Sequence, residues 1–374
     1  MKLIYIAYGN VSVFDSQVVA LLNYFIESEQ ISEIILVLGT DYKDKFNEKK
    51  LNNLNKKIEV KYYKQYPQYI LIEELTVRSI SNAISEIKHI DEYIIHVRND
   101  VTAHYAYRAI KRLKGKTNQI IADVRGAGLE QLIEFSNKKK FILWLKKIQR
   151  NQVNKSLSKI KNLSVVSQSL KNYAYNKVGN GINVKVNSCL ANRDFKFDKA
   201  ERSKLRKEFN VDDNESLLVL STGGDNAWQN TKQTIKLLTD NNFKILNLSR
   251  TEIPHPKVIT KFVPYCEMFK YLCAADAAII FRKKGVTNQV ASPVKFSEYV
   301  SCGLPVITND SVDLIADYIK ANNCGAIIHS LSSIDENILA KMKKLDRTDI
   351  SIKGQSVFGL ETIADQYVDF YKSL

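Results

Sequence analysis

The sequence predicts an α/β protein made of two Rossmann-like, doubly wound parallel-sheet domains with a cleft between them. Three observations carry that expectation. Short apolar runs alternate with amphipathic helical segments, the pattern of parallel strands joined by helical crossovers. The alternation stops near Cys189 and restarts after Asn192. The 374 residues are long for one core and fit two.

In the first half, strands are expected at Lys2–Ala7, Ile34–Leu38, Ile58–Tyr63, Tyr93–Val97, Ile120–Val124 and Leu163–Ser167. Gly9-Asn10 gives the turn after the first, and Gln17–Ile26 has helical spacing. Helices also fit Ile70–Ile87 and the stretch ending at Lys111, while residues 41–57 are polar surface helix and loop. Cys189–Asp198 has neither period and reads as a linker. In the second half the strands are Leu217–Ser221, Phe243–Leu248, Val258–Phe262, Ala277–Phe281, Pro305–Thr308 and Ala326–His329, with a helix at Met268–Ala274. The domains are set at residues 1–190 and 191–359. Residues 360–374 form a final helix, its Ile363, Ala364, Tyr367, Val368 and Tyr371 at helical intervals, packing back on the first domain.

The composition, 45% hydrophobic and 25% charged, is that of a soluble globular chain. No run of 18 apolar residues suits a membrane span, and the start lacks the marks of a signal peptide. Five cysteines without a C-x-x-C pair read as free thiols in a reducing cytoplasm. The net charge of +15 calls for an anionic partner: phosphorylated substrate, anionic membrane or nucleic acid.

The most informative stretch is Ser292–Asp310, SPVKFSEYVSCGLPVITND. Ser292 is a good N-cap, Pro293 fits the first helical position, and Gly303 fits the stop. The helix between them carries Lys295 and Glu298 one turn apart. Its start offers unpaired N–H groups and a positive dipole end to a phosphate, and Glu298 offers a carboxylate to a sugar diol. A nucleotide-sugar site follows. Gly223-Gly224, Arg282, Lys283, Ser292 and Val294 are the other donor-side candidates, since a pyrophosphate needs backbone N–H donors and point charges. Arg282 and Lys283 are also open to reading as solvated charges, and Gly223-Gly224 as any tight turn.

In the first half, HVRND (residues 96–100) and DVRGAG (residues 123–128) hold Arg98, Asn99, Asp123, Arg125 and Gly126. His96 lies within a strand and also reads as a core histidine. Neither G-x-G-x-x-G after the first strand nor a P-loop occurs, which counts against a dinucleotide dehydrogenase or an NTPase. Nothing calls for a metal ion. The basic excess concentrates at residues 136–161, with nine Lys or Arg and no acid. Lys139, Phe141, Trp144 and Lys147 there suggest an interfacial helix on an anionic membrane. The alternative is an ordinary amphipathic helix whose apolar stripe is core. Nucleic acid is not expected, as no binding motif accompanies the charge.

SPVKFSEYVSCGLPVI resembles the second-domain signature of retaining glycosyltransferase family 4, in a version common among bacterial capsule and surface-polysaccharide enzymes. HVRND and DVRG resemble that subgroup too. The resemblance implies the GT-B fold and a metal-independent, retaining transfer from a nucleotide sugar, which is a substrate rather than a cofactor. It implies that Glu298 binds the donor ribose, that the backbone of Ser292–Val294 faces the diphosphate, and that Arg282 meets the phosphates. Two positions depart from the family pattern. Val290 stands where a second glutamate is common, and Thr222-Gly223-Gly224-Asp225-Asn226 replaces the usual Arg and Lys, with Lys232 further on.

The expectation is a peripheral enzyme on the cytoplasmic face of the cell membrane. It would extend a surface glycan carried on a polyprenyl diphosphate. Arg98, Asn99, Asp123 and Arg125 would contact acceptor or transition state, with Gly9, Asn10 and Gly126 on the acceptor side. A nucleotide-sugar 2-epimerase of the same fold, or a non-catalytic nucleotide- or glycan-binding protein, are the alternatives.

Overall fold

The structure, a computed structural model, describes residues 1–9, 13–41, 51–135, 139–220, 231–240 and 243–374. It divides into two compact units, residues 1–188 with 364–374 and residues 189–363. The division falls two residues before the expected boundary. The final helix, Leu360–Lys372, begins in the second unit and belongs to the first from Ala364.

Unit 1 holds β1 (Lys2–Tyr8), β2 (Glu33–Asp41), β3 (Glu59–Gln65), β4 (Tyr93–Arg98), β5 (Ile120–Val124), β6 (Asn162–Val165) and β7 (Asn183–Val186). Their spatial order is β3-β2-β1-β4-β5-β6-β7, and every pairing is parallel. The seventh strand, NVKV, is an addition to the six expected. Its two exposed side chains, Asn183 and Lys185, hide it from a search for apolar runs. The helix expected at Gln17–Ile26 starts as a π-helical turn at Asp15–Val19 and continues as α-helix over Ala20–Glu27.

Unit 2 holds β8 (Leu217–Leu220), β9 (Lys244–Leu248), β10 (Val258–Lys261), β11 (Ala277–Ile280), β12 (Val306–Thr308) and β13 (Gly325–Ile327), ordered β10-β9-β8-β11-β12-β13 and all parallel. Successive residues of its strands enter opposite cores. Leu217, Val219, Ala278, Ile280 and Val306 face one apolar cluster, and Leu218, Leu220, Ala277, Ile279 and Ile307 the other. Both faces of this sheet are therefore covered, which is why its strands read as unbroken apolar runs.

In each sheet the chain direction of travel reverses next to the first strand, at β1/β4 in unit 1 and β8/β11 in unit 2. Crevices outside the carboxyl ends of strands at such a switch are where open α/β sheets take ligands. The segments there are Gly9 and Arg98–Asn99 in unit 1 and Phe281–Gly285 in unit 2. Residues 221–230, which follow β8, lie outside the described residues, as does Asn10.

Candidate functional site

The central helix of unit 2 spans Val294–Ser301. Pro293 occupies its N-cap position in an extended conformation, and no side chain caps the start. This corrects the expectation for Ser292. Its hydroxyl instead accepts the Cys189 N–H at 3.1 Å, while the Ser297 hydroxyl donates to the Cys189 carbonyl at 2.7 Å. The two serines thus grip both sides of one peptide residue and leave the helix start without a side-chain acceptor. Its first N–H groups remain an anion-binding end. The helix stops where the sequence indicates. Gly303 has φ +67, and the bonds Gly303 N–H to Val300 and Leu304 N–H to Tyr299, both 2.9 Å, form a Schellman closure. A Cβ at Gly303 would lie 2.0 Å from the Arg347 carbonyl oxygen.

Glu298 projects from this helix into the interior and is 1% exposed. Its Oε2 sits 3.3 Å from the Lys295 ammonium but has no hydrogen-bond partner among the described residues. Lys295 also approaches the Met268 sulfur at 3.4 Å. A buried carboxylate oxygen with open bonding capacity is costly unless a ligand completes it.

Arg282 follows β11. The loop that carries it is fixed by Asn288, whose Oδ1 accepts from the Arg282 guanidinium at 3.2 Å and whose Nδ2 donates to the Lys283 carbonyl at 2.8 Å. Asn309 adds a bond on each side of the Arg282 backbone. Burial lowers the Arg282 pKa to about 10, with Tyr299 acting in the other direction. It stays cationic at neutral pH, and no carboxylate among the described residues forms an ion pair with it. Lys283 is exposed, and Lys284 pairs with Asp310 at 3.1 Å. Val290 is buried at the end of the short Val286–Gln289 helix and brings no charge. Gly223 and Gly224 lie outside the described residues.

In unit 1 the structure brings Arg98, Asp123 and Arg125 together. Asp123 is completely buried, with Arg125 at 3.3 Å, Arg98 at 3.6 Å, His96 Nε2 at 3.6 Å and the Tyr367 hydroxyl at 3.4 Å. Burial alone would raise its pKa. Arg125, His96 and Arg98 outweigh that and hold it well below the usual carboxylate range. Burial also lowers the His96 pKa, against the pull of Asp123. His96 Nδ1 meets the Tyr371 hydroxyl at 2.7 Å, and its ring stacks on Tyr5 at 4.5 Å. Asp123 therefore reaches no solvent, and what it does is hold the two arginines, which are 12% and 15% exposed. Asn99 is the N-cap of the Asp100–Arg112 helix, with φ +80 and its side chain accepting the Val101 N–H at 3.0 Å. Gly9 donates to the Gly39 carbonyl at 2.9 Å, and a Cβ at Gly126 would meet open space.

The basic helix runs Lys140–Ile160, with Lys139 at its N-cap. Gln149, Val153, Ser156, Leu157 and Ile160 are buried. Lys140, Phe141, Trp144, Lys147, Asn151 and Lys155 form an exposed stripe on the opposite face. Phe141 is 67% and Trp144 56% exposed, and their rings stack at 5.9 Å. The apolar stripe read from the sequence thus splits: Ile142, Leu145 and Ile148 are half-buried while the two aromatics face outward. Among the described residues no helix is long and apolar enough to cross a membrane, and no group of three His, Cys, Asp or Glu converges as a metal site.

Sequence reasoning missed Asn288, Tyr367 as a partner of Asp123, and the Arg202–Asp276–Arg206 cluster. Burial pushes Asp276 up in pKa, but Arg202 at 2.5 Å, the Leu217 N–H at 2.8 Å and Arg206 at 3.0 Å overcome it. The Asp123–Tyr367 and Asp276 pairings join residues far apart in the chain and leave no local signature, whereas Asn288 lies only five and six residues from the Lys283 and Arg282 it holds.

Residues 281–353, which include Arg282, Glu298 and Gly303, match the family described as glucosyltransferase 3-like, C-terminal domain. No curated protein matches the chain by sequence. The fold is shared with solved structures at low identity. Sucrose-phosphate synthase of Thermosynechococcus elongatus superposes with a TM-score of 0.72 at 12% identity, over 100% of this chain and 98% of that one. HepE of Anabaena, solved in complex with UDP-glucose, gives 0.71 at 13% over all of both chains. WaaG, a glycosyltransferase of lipopolysaccharide biosynthesis, gives 0.70 at 11% over all of both chains. The fold is GT-B, and the matched segment is of the glycosyltransferase type.

Proposed function

We propose that this chain is a glycosyltransferase that moves a sugar from a nucleotide-sugar donor onto a growing surface glycan, with retention of configuration and without a metal. The observation that carries the reading is Glu298: a buried carboxylate oxygen without a hydrogen-bond partner among the described residues, behind an uncapped helix start, in the unit that carries Arg282. In this reading the donor ribose hydroxyls donate to Glu298 and take over the place of the Lys295 ammonium. Lys295, Arg282 and the Val294 helix start then face the diphosphate. Charge that develops on the leaving diphosphate is met by these fixed groups, which is where such a site gains most of its rate. The departing phosphate oxygen takes the acceptor proton, so no protein base is needed. Lys283, Gly223 and Gly224 remain donor-side candidates. Arg98 and Arg125 are the acceptor-side cations, with Asn99, Gly9, Asn10 and Gly126 around them, and Asp123 positions the arginines.

The exposed Phe141–Trp144 pair within a cationic stripe supports attachment to an anionic membrane surface, on the cytoplasmic side where a polyprenyl-diphosphate-linked acceptor would be extended. Aromatic rings with flanking lysines suit the headgroup boundary.

A thermal-shift screen of UDP-, GDP-, CMP- and dTDP-sugars tests the donor claim. UDP-glucose goes first because HepE was solved with it. One class should raise the melting temperature, and Glu298→Ala should lose that response. No response from any of them removes the reading. Flotation on anionic liposomes tests the membrane claim. Phe141→Ser with Trp144→Ser should abolish flotation, and an unchanged result refutes it.

A further inference from the structure

The groups that hold Arg282 in place are neutral. Its backbone N–H donates to Asn309 Oδ1 at 3.3 Å, and its carbonyl accepts from Asn309 Nδ2 at 2.8 Å and from the Ser311 hydroxyl at 2.9 Å. Its guanidinium meets Asn288, a fully buried side chain on the short helix after Gly285. A carboxylate stands next to these partners in sequence, since Asp310 lies between Asn309 and Ser311. That acid pairs with Lys284 at 3.1 Å instead.

Elsewhere in the fold, arginines drawn out of water meet acids. Arg202 and Arg206 share Asp276, Arg150 has Asp100, and Arg98 and Arg125 flank Asp123. Arg347 forms no ion pair among the described residues, but it donates to the Ala275 and Cys302 carbonyls at 2.8 and 3.2 Å. At position 288 an aspartate would have nearly the same size and would bring a full charge to the guanidinium, which is the stronger pairing. The amide has a local use: its Oδ1 accepts from Arg282 at 3.2 Å while its Nδ2 donates to the Lys283 carbonyl at 2.8 Å, and no carboxylate can complete both bonds. It has a second consequence. It orients the guanidinium without neutralising it, and a guanidinium carries four further N–H donors.

We infer that Asn288 is a positioning residue for the donor phosphates, fixing Arg282 in place while reserving its charge for the ligand. The inference rests on the donor reading of unit 2. It goes further in making the amide itself, and not only the shape of the loop, a determinant of diphosphate affinity.

Calorimetric titration of the full chain with UDP, GDP and dTDP is the test, and the wild type should bind at least one of them. Asn288→Asp should weaken that ligand about ten-fold, as neutralising an arginine does. Asn288→Ala removes the amide but leaves the guanidinium charged, and should weaken it about three-fold. Stability should rank the other way, with Asn288→Ala melting below Asn288→Asp because it keeps neither bond. A purely structural asparagine predicts a single order for both measurements, with alanine the more harmful. In an Arg282→Met background, Asn288→Ala should cost no further affinity, since it acts through the guanidinium. That arm decides the matter even where the aspartate variant does not fold. The inference fails if Asn288→Asp binds as the wild type does, if alanine weakens binding more than aspartate, or if alanine is equally damaging without Arg282. Each of these results, with wild-type binding intact, leaves the donor reading standing. Wild-type binding of none of the three also overturns the inference, and the nucleotide-sugar screen then shows whether the donor reading falls with it.

Discussion

Asp123 in unit 1 and Glu298 in unit 2 are both carboxylates removed from solvent, yet their surroundings differ. Asp123 is ringed by two arginines, a histidine and a tyrosine hydroxyl. Among the described residues, Glu298 has one lysine beside it and an oxygen with no hydrogen bond, and Arg282, in the same unit, forms no ion pair with a carboxylate. The first arrangement spends its charges on one another. The second leaves them under-used at a cost to the free protein, as a site does when a ligand supplies the missing contacts.

Removing charge should therefore have opposite consequences in the two units. The largest effect is expected from Asp123→Asn, which leaves Arg98 and Arg125 facing one another. Breaking a buried pair typically costs 3–5 kcal/mol, and the arginines' residual exposure puts the loss at about 3 kcal/mol. Chemical denaturation measures it, and a loss under 1 kcal/mol would end the structural account of Asp123. Next comes Glu298→Ala, which should weaken the stabilising nucleotide sugar about a hundred-fold, or ~2.7 kcal/mol, while the ligand-free protein melts no lower than wild type. A large drop in ligand-free stability would make Glu298 another Asp123. Arg282→Met should weaken nucleoside diphosphate about ten-fold by calorimetry and leave ligand-free stability equal or higher.

The smallest effect concerns His96. Its folded pKa lies below the ordinary 6.5, so below that pH the unfolded chain takes up a proton that the folded one refuses. Stability conferred by neutral His96 is complete above pH 6.5 and falls as the pH drops towards the folded value, by at most about 1.4 kcal/mol per pH unit. His96→Gln should flatten that part of the stability profile, and an unchanged slope would show that His96 is not the titrating group.

What was legible in the sequence was whatever local chemistry dictates. Pro293 and Gly303 bracket a helix because one fixes φ and the other tolerates the left-handed closure, and Met268–Ala274 is helical as its spacing requires. The apolar runs of unit 2 gave its six strands for the same reason. Ser292 misled because a serine before a proline is a good cap in isolation, whereas here a backbone N–H more than a hundred residues earlier takes its oxygen. Tyr367 and Asp123 lie 244 residues apart, and nothing short of the folded chain shows that a tyrosine spaced as a core residue also brings a hydroxyl to a carboxylate. Phe141 and Trp144 were visible as aromatics, but only packing shows which face of their helix they occupy.

The placement of Tyr367 and Tyr371 also sets an order of events during synthesis. Unit 1 draws its closing residues, 364–374, from beyond the whole of unit 2. While Cys189–Ile363 is being translated, at about 5–20 residues per second, Asp123 and His96 lack the tyrosines that complete their surroundings. For on the order of ten seconds or more, the nascent first unit has all seven strands but lacks the helix that covers their polar centre, which has yet to emerge.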